Sequence, residues 1–328
     1  MSRTSDRLIA SVQLLSGADV ARNLERCAVW IERAAGDGAD LILLPEYFGL
    51  ITEPEHYQKS SEPLVMEAGD QLDPQAIGQI QKIESTPQAS GQAAPMQSFL
   101  RHQAKRWKIW LIGGSLPLKA KDTTDKVVNT LLAYNPLGQC VCAYPKIHLF
   151  GFQCGREAYD ESRFIVPGLV VQSCHTGWAA VGASICYDLR FPELYQQVSL
   201  QCQQRWNQPM DLILMPAAFT YTTGRAHWEV LLRARAIENQ CYVLAAAHGG
   251  IHEHGRHTFG HSMIIDPWGV IISRVEGSKN QSASDGEGEG MVIANFDTDR
   301  LAEVRAQLPV LRHKRPWFAG VSANIRRS

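Results

Sequence analysis

Gly177-Trp178-Ala179-Ala180-Val181-Gly182-Ala183-Ser184-Ile185-Cys186-Tyr187-Asp188-Leu189-Arg190-Phe191-Pro192-Glu193-Leu194 is the stretch that decides how this chain is read. Its small apolar run, residues 179–185, predicts a buried strand. The run stops at Cys186. A polar cluster follows, and Phe191-Pro192-Glu193-Leu194 opens a helix with proline in its first turn. Cys186 therefore stands at a sharp strand-to-helix turn, its sulfur near the amides of the turn and of the helix start. Such amides favour a thiolate and can hold an oxyanion, as a nucleophile requires. The plainer alternative is a small core thiol.

Working outward, residues 7–15, 40–45, 109–116, 211–215, 242–247, 262–266, 270–273 and 291–297 read as further strands. Residues 19–35, 97–107 and 226–239 carry apolar residues at helical spacing, and a short helix follows the last strand. Segments 127–134 and 139–144 flank the turn Asn135-Pro136-Leu137-Gly138 and predict a hairpin. Residues 67–96, rich in Gln, Gly, Pro and Ser, read as an inserted excursion, partly helical. Residues 279–290 read as a mobile low-complexity loop.

The chain also echoes itself. Asp40-Leu41-Ile42-Leu43-Leu44-Pro45-Glu46-Tyr47-Phe48 resembles Asp211-Leu212-Ile213-Leu214-Met215-Pro216-Ala217-Ala218-Phe219, and the Asn135 hairpin turn resembles Asp266-Pro267-Trp268-Gly269. Two similar α/β halves would explain this. Chance likeness of buried strands and turns would explain it equally well.

Composition narrows the function. The 328 residues, 45% hydrophobic, give room for a substantial core, read as one domain over 1–328 with its core at about 8–315. A formal net charge of -1 gives no electrostatic case for nucleic acid. No apolar run approaches the ~20 residues of a membrane span. The polar start shows no signal peptide. Eight cysteines without a C-x-x-C pair suggest a reduced, cytoplasmic protein.

Three reactive residues each end an apolar strand: Glu46, Lys146 and Cys186. Brought together, a carboxylate takes the thiol proton, the thiolate attacks a carbonyl, and the ammonium holds the oxyanion. Taken singly, each has a plainer reading: a solvated acid, a snorkelling lysine, a core thiol. Their shared placement favours the site.

With these residues in place, the chain resembles the nitrilase superfamily of carbon–nitrogen hydrolases over about residues 8–315. The similarity lies in L-L-P-E around Glu46, Y-P-K-I-H-L around Lys146 and C-Y-D-L-R-F-P-E-L from Cys186. It continues in T-T-G-R-A-H-W-E-V-L-L-R-A-R-A-I-E-N-Q-C-Y-V from Thr222, G-H-S-M-I-I-D-P-W-G from Gly260 and L-P-V-L-R-H-K-R-P from Leu308. The resemblance implies an α/β fold, a four-layer α-β-β-α sandwich of two similar halves, with neither metal nor organic cofactor. It implies a homodimer or higher homo-oligomer joined through its helical layers. The most similar branch is that of the deaminated glutathione amidases. The implied function is a cysteine-dependent amidase cutting a non-peptide C–N bond of a small carboxylate-bearing amide through a thioester acyl-enzyme, a metabolite-repair activity if the amide is deaminated glutathione. An ω-amidase or N-carbamoyl-amino-acid amidohydrolase is the alternative. Tyr187, where tryptophan typically follows the cysteine, argues against a nitrilase. The presence of all three reactive residues argues against a silent binding protein.

By the same resemblance Cys186 is the nucleophile, Glu46 the general base, and Lys146 with the Tyr187 backbone N–H the oxyanion stabiliser. Glu161 matches a second glutamate that orients the lysine. Phe219 and Thr220 line the pocket. Arg225 stands where the family usually has proline; it could meet a substrate carboxylate, or be a solvated loop arginine. Pro145, Gly151 and the long 67–96 excursion also depart from the family pattern near the entrance. Asp188 and Arg190 could touch substrate, but read rather as a buried ion pair fixing the turn, and Glu193 as a helix cap. The histidines from His248 to His261 include an H-x-H that invites zinc, but the segment reads as a surface loop without metal.

Overall fold

Two sheets of the same construction lie face to face in the computed structural model, which describes residues 7–84, 94–155, 157–276 and 288–314. The first holds β1 (Arg7–Gln13), β2 (Leu41–Leu43), β5 (Trp110–Ile112), β6 (Leu116–Lys119), β7 (Val127–Tyr134), β8 (Cys140–Pro145) and β19 (Gly290–Phe296). The second holds β11 (Ser173–His175), β12 (Ala180–Ala183), β13 (Leu212–Ala217), β14 (Tyr242–Ala247), β17 (Met263–Ile265) and β18 (Ile271–Arg274). Small two-stranded ladders flank them: β3 (Leu64–Met66) with β4 (Lys82–Glu84), β9 (Gly151–Cys154) with β10 (Glu157–Asp160), and β15 (Gly249–Ile251) with β16 (His257–Phe259). The helices are α1 (Val20–Gly36), α2 (Pro54–Lys59), α3 (Pro95–Trp107), α4 (Pro192–Trp206), α5 (Tyr221–Asn239), α6 (Thr298–Gln307) and α7 (Val310–His313).

The echo in the sequence is a repeat in the fold. β19 runs antiparallel to β1; β1, β2 and β5 are parallel; β7 and β8 follow antiparallel. β11 runs antiparallel to β12; β12, β13 and β14 are parallel; β17 and β18 follow antiparallel. The two echo aspartates make matching bonds. Asp40 N donates to Leu8 O and Asp211 N to Ala180 O, both at 2.8 Å. Asp40 Oδ2 accepts from Leu8 N, and Asp211 Oδ2 from Ala180 N. The repeated aspartate locks each central strand to its neighbour.

Each sheet carries helices on its outer face. Cys27 and Ile31 of α1 and Leu100 of α3 pack on Ala10, Ile42 and Leu111. Ile9, Leu41 and Leu43 face the other way, into a core shared with Val181, Ile213 and Leu244 and with Val198 of α4 and Leu232 of α5. The result is the α-β-β-α sandwich. Every fully buried Leu, Ile or Val in it contributes ~1.5–3 kcal/mol of transfer free energy. Between the sheets, Ser11 Oγ donates to Ala245 O.

Helix starts explain the boundaries that sequence reading misplaced. α3 starts at Pro95, not at residue 97, because Glu62 reaches across to accept from Met96 N (2.7 Å) and Gln97 N (3.3 Å). α5 starts at Tyr221, not at residue 226, because Thr220 Oγ1 caps Thr223 N. Residues 109–116 do not form one strand; Gly113 and Gly114 divide β5 from β6. At Gly114, with φ +40, a Cβ would lie 1.9 Å from Pro45 O, so only glycine lets this turn pass the strand end that carries Glu46. Of the 67–96 excursion, residues 67–84 are ordered without a helix. Gln71 N donates to Cys140 O, and the Arg101 guanidinium holds Asp70 at 2.8 Å. Residues 85–93 lie outside the described residues, as does most of the 279–290 loop.

Candidate active site

Glu46, Lys146 and Cys186 meet at neighbouring strand ends of the two sheets. Glu46 follows β2, Lys146 follows β8, and Cys186 opens a 3-10 turn (Cys186–Arg190) after β12. Lys146 is fully buried and Glu46 is 1% exposed. Lys146 Nζ donates to Glu46 Oε1 at 2.9 Å and to Glu161 Oε1 and Oε2 at 3.0 and 2.8 Å. Glu161 also accepts from Phe150 N at 2.7 Å. Asn129 Nδ2 donates to Glu46 Oε1 at 2.9 Å, and Ala218 N to Glu46 Oε2 at 3.0 Å. The Cys186 thiol is near enough to Glu46 to influence its ionisation.

Electrostatics set the resting state. Burial alone would raise the Glu46 carboxyl, but the Lys146 charge and the bonds from Cys186 and Lys146 outweigh it and hold Glu46 below its usual range. Burial pushes the Cys186 thiol well up, and the charges of Glu46 and Glu161 push it further than Lys146 pulls it back. This corrects the expectation of a turn that favours thiolate: burial, joined by two carboxylates near the sulfur, outweighs the amides. At rest the site holds a thiol beside a carboxylate. Glu161 is raised, first by burial and then by Glu46 against the pull of Lys146. Lys146 stays charged because Glu161 and Glu46 overcome its burial.

The turn is built to hold Cys186 in an uncommon conformation, φ 49. A non-glycine residue there costs about 1 kcal/mol or more. Asp188 stabilises it. Its carboxylate accepts from Ile185 N (2.9 Å), Tyr144 Oη (2.7 Å) and His148 N (3.0 Å). The expected Asp188–Arg190 ion pair is absent. Asp188 is occupied by these donors, and Arg190 turns instead over the rings of Tyr187 and Phe219 and bonds His227 Nδ1 at 3.2 Å. Glu193 is exposed in the first turn of α4, where its charge suits the helix end, but it caps no amide.

Two spaces flank the cluster. A narrow one, about 10 Å³, is lined by Cys186, Tyr187, Arg190, Phe219 and Thr220, as the sequence placed four of these five. A wide one, about 720 Å³, is lined by Glu161, Tyr47, Tyr159 and Arg256. Phe150 belongs to both. Arg225 reaches neither. The Thr220 cap puts it on the exposed face of α5, in a separate groove with Arg233 and Arg274.

Sequence reading passed over Asn129, Tyr47 and Arg256, and for Arg190 it favoured a structural place over contact with substrate. It also misplaced two histidines. His248 and His252 are buried, not on a surface loop. Burial pushes His248 well below its usual value, and His252 down to about 3, so both are neutral. His248 Nε2 then donates to Glu46 O at 2.7 Å, and His252 Nδ1 lies 2.8 Å from Ser16 O. Among the described residues no three His, Cys, Asp or Glu side chains are grouped to hold a metal.

The comparisons agree with this geometry. The carbon–nitrogen hydrolase family model matches residues 8–306. A deaminated glutathione amidase of Synechocystis is 36% identical, covering 94% of this chain and 97% of its own. The human deaminated glutathione amidase is 35% identical over 95% of this chain and 84% of its own. The Caenorhabditis elegans NitFhit protein superposes with TM-score 0.74 at 32% identity, over 94% of this chain, which spans 65% of that longer one. Saccharomyces cerevisiae Nit3, of the nitrilase superfamily, gives TM-score 0.72 at 28% identity, over 93% of this chain and 95% of its own. The chain belongs to the carbon–nitrogen hydrolase family of the nitrilase superfamily, the hydrolases of non-peptide C–N bonds.

Proposed function

We propose that this hydrolase is a cysteine-dependent amidase whose substrate is an α-keto acid amide of the deaminated glutathione kind. One observation carries the reading: a neutral thiol, Cys186, beside a carboxylate, Glu46, with Lys146 held between Glu46 and Glu161. Glu46 takes the Sγ proton as sulfur attacks the amide carbon. The Lys146 ammonium and the Tyr187 N–H hold the oxyanion. Protonated Glu46 gives its proton to the leaving nitrogen, the C–N bond breaks, and the amine departs from a thioester. Glu46 then takes a proton from water, the hydroxide attacks the thioester, the C–S bond breaks, and the proton returns to sulfur. Glu161 positions Lys146.

Arg190, beside Cys186 in the narrow pocket, supports a carboxylate on the acyl half of the substrate, since a guanidinium matches a carboxylate in shape and charge. This replaces Arg225 in that role. The names of the relatives add deaminated glutathione as the first substrate to try. Amine release from α-keto acid amides, ω-amides, N-carbamoyl amino acids and nitriles tests the reading. Turnover fastest on the keto acid amides supports it, and turnover confined to carbamoyl compounds or nitriles contradicts it.

A homodimer through the outer face of α5, where Val230 is 61% and Ile237 48% exposed, completes the proposal. So does a reducing, cytoplasmic setting, supported by eight free thiols of which seven are buried.

A further inference from the structure

The wide cavity beside the reacting cluster contains two buried donors with nothing to bond. Tyr47 Oη and Arg256 Nε each lack a hydrogen-bond partner, and both residues line the cavity. Buried polar atoms are paired almost everywhere in folded proteins, so two orphans lining one cavity point to a ligand. Arg256 is held in place by other contacts. Its Nη2 donates to Ala218 O at 2.7 Å, and its guanidinium lies 5.6 Å from the Tyr159 ring. Burial keeps the Tyr47 hydroxyl protonated, hence a donor. A phenol O–H and a guanidinium lining one cavity ask for an acceptor with a negative charge.

The two spaces differ in what they can hold. The narrow one, with Cys186 and Arg190, leaves room for little beyond the groups around the reacting carbon. The wide one is large enough for an amino acid or a dipeptide. Its rim carries the exposed acids Glu53, Glu55, Asp125 and Asp160, which repel a second negative charge farther out.

We propose that Tyr47 and Arg256 form a carboxylate subsite for the leaving amine, the pair of side chains that makes the site prefer an amine half ending in a free carboxylate. This rests on the amidase reading above. It assigns the amine half of the substrate to the wide cavity.

Arg256 also touches Ala218, whose N–H donates to Glu46, so it could act by positioning the base alone. Three amides of one α-keto acid separate the possibilities: of a dipeptide with a free carboxylate, of the same dipeptide as its carboxamide, and of ammonia. Release of amine is followed for wild type, Tyr47→Phe, Arg256→Gln and Arg256→Lys. Wild type should prefer the free carboxylate over the carboxamide by about tenfold in kcat/KM. Tyr47→Phe and Arg256→Gln should each erase most of that preference, chiefly through KM, and Arg256→Lys should restore part of it. Tyr47→Phe removes only a hydroxyl that bonds nothing, so the folded protein remains available for the measurement. A wild-type preference near one overturns the subsite while leaving the amidase standing. Equal loss on all three amides in the variants overturns it in favour of positioning through Ala218. No release from any amide by wild type overturns the amidase reading and the subsite with it.

Discussion

The Lys146 ammonium donates to both carboxylate oxygens of Glu161, at 3.0 and 2.8 Å, while keeping a 2.9 Å bond to Glu46. One fully buried cation therefore serves a buried acid, Glu46, and a partly buried one, Glu161. Lys146→Met should leave both carboxylates without their charge partner. Removing one member of a buried ion pair costs ~3–5 kcal/mol. The urea midpoint should fall accordingly, with activity lost. A midpoint equal to wild type would mean that the ion pairs are not formed.

In the proposed cycle Glu46 must start as a carboxylate, and its acid is held below the ordinary value of 4.5. Amine release should therefore persist on acidification through that value, and its acid limb should lie below it. The stability that Glu46 contributes is present above its unfolded value and is lost as pH falls through its lower folded value. Glu46→Gln should lower kcat by about 100-fold or more. An acid limb near neutrality would indicate a different base.

Asp188 holds the nucleophile's turn through Ile185 N, Tyr144 Oη and His148 N. Asp188→Ala strips four groups of their acceptor, His148 Nδ1 at 2.7 Å among them. It should cost about 3 kcal/mol and lower kcat more than it changes KM, because Sγ loses its fixed place. Thermal unfolding and steady-state kinetics check this together. Full activity in a folded variant would mean that the turn holds itself.

Iodoacetamide on the native protein should modify Cys186 and the exposed Cys154, and spare the buried Cys27, Cys140, Cys142, Cys174, Cys202 and Cys241. Cys186 is a thiol at rest, so its labelling depends on Glu46 and should slow in Glu46→Gln, while Cys154 labelling should not. Equal slowing at both, or none at Cys186, would contradict proton transfer from Cys186 to Glu46.

The meeting of Glu46, Lys146 and Cys186 was legible because each ends an apolar strand, and strand ends in an α/β sheet are where ligands bind. The repeat was legible in Asp40 and Asp211, which make the same bonds in both halves. What escaped reading depends on contacts between distant segments. Glu62 starts α3 from across the fold. His248 is buried because β14 carries it beneath Glu46. Arg190 is four residues from the nucleophile, but its direction follows from Asp188 being occupied by other donors. Arg256 lies 70 residues beyond Cys186 in a histidine-rich stretch, and only the β15–β16 hairpin brings it to the cavity.

The central claim is that the acyl half of the substrate is carried on Cys186 Sγ. Protein quenched in acid during turnover of an α-keto acid amide, digested and weighed by mass spectrometry, should show the acyl mass on the Cys186 peptide. That mass should be absent in Cys186→Ala, which should release no amine. Turnover by Cys186→Ala at the wild-type rate, with the acyl mass on no cysteine, would contradict the account.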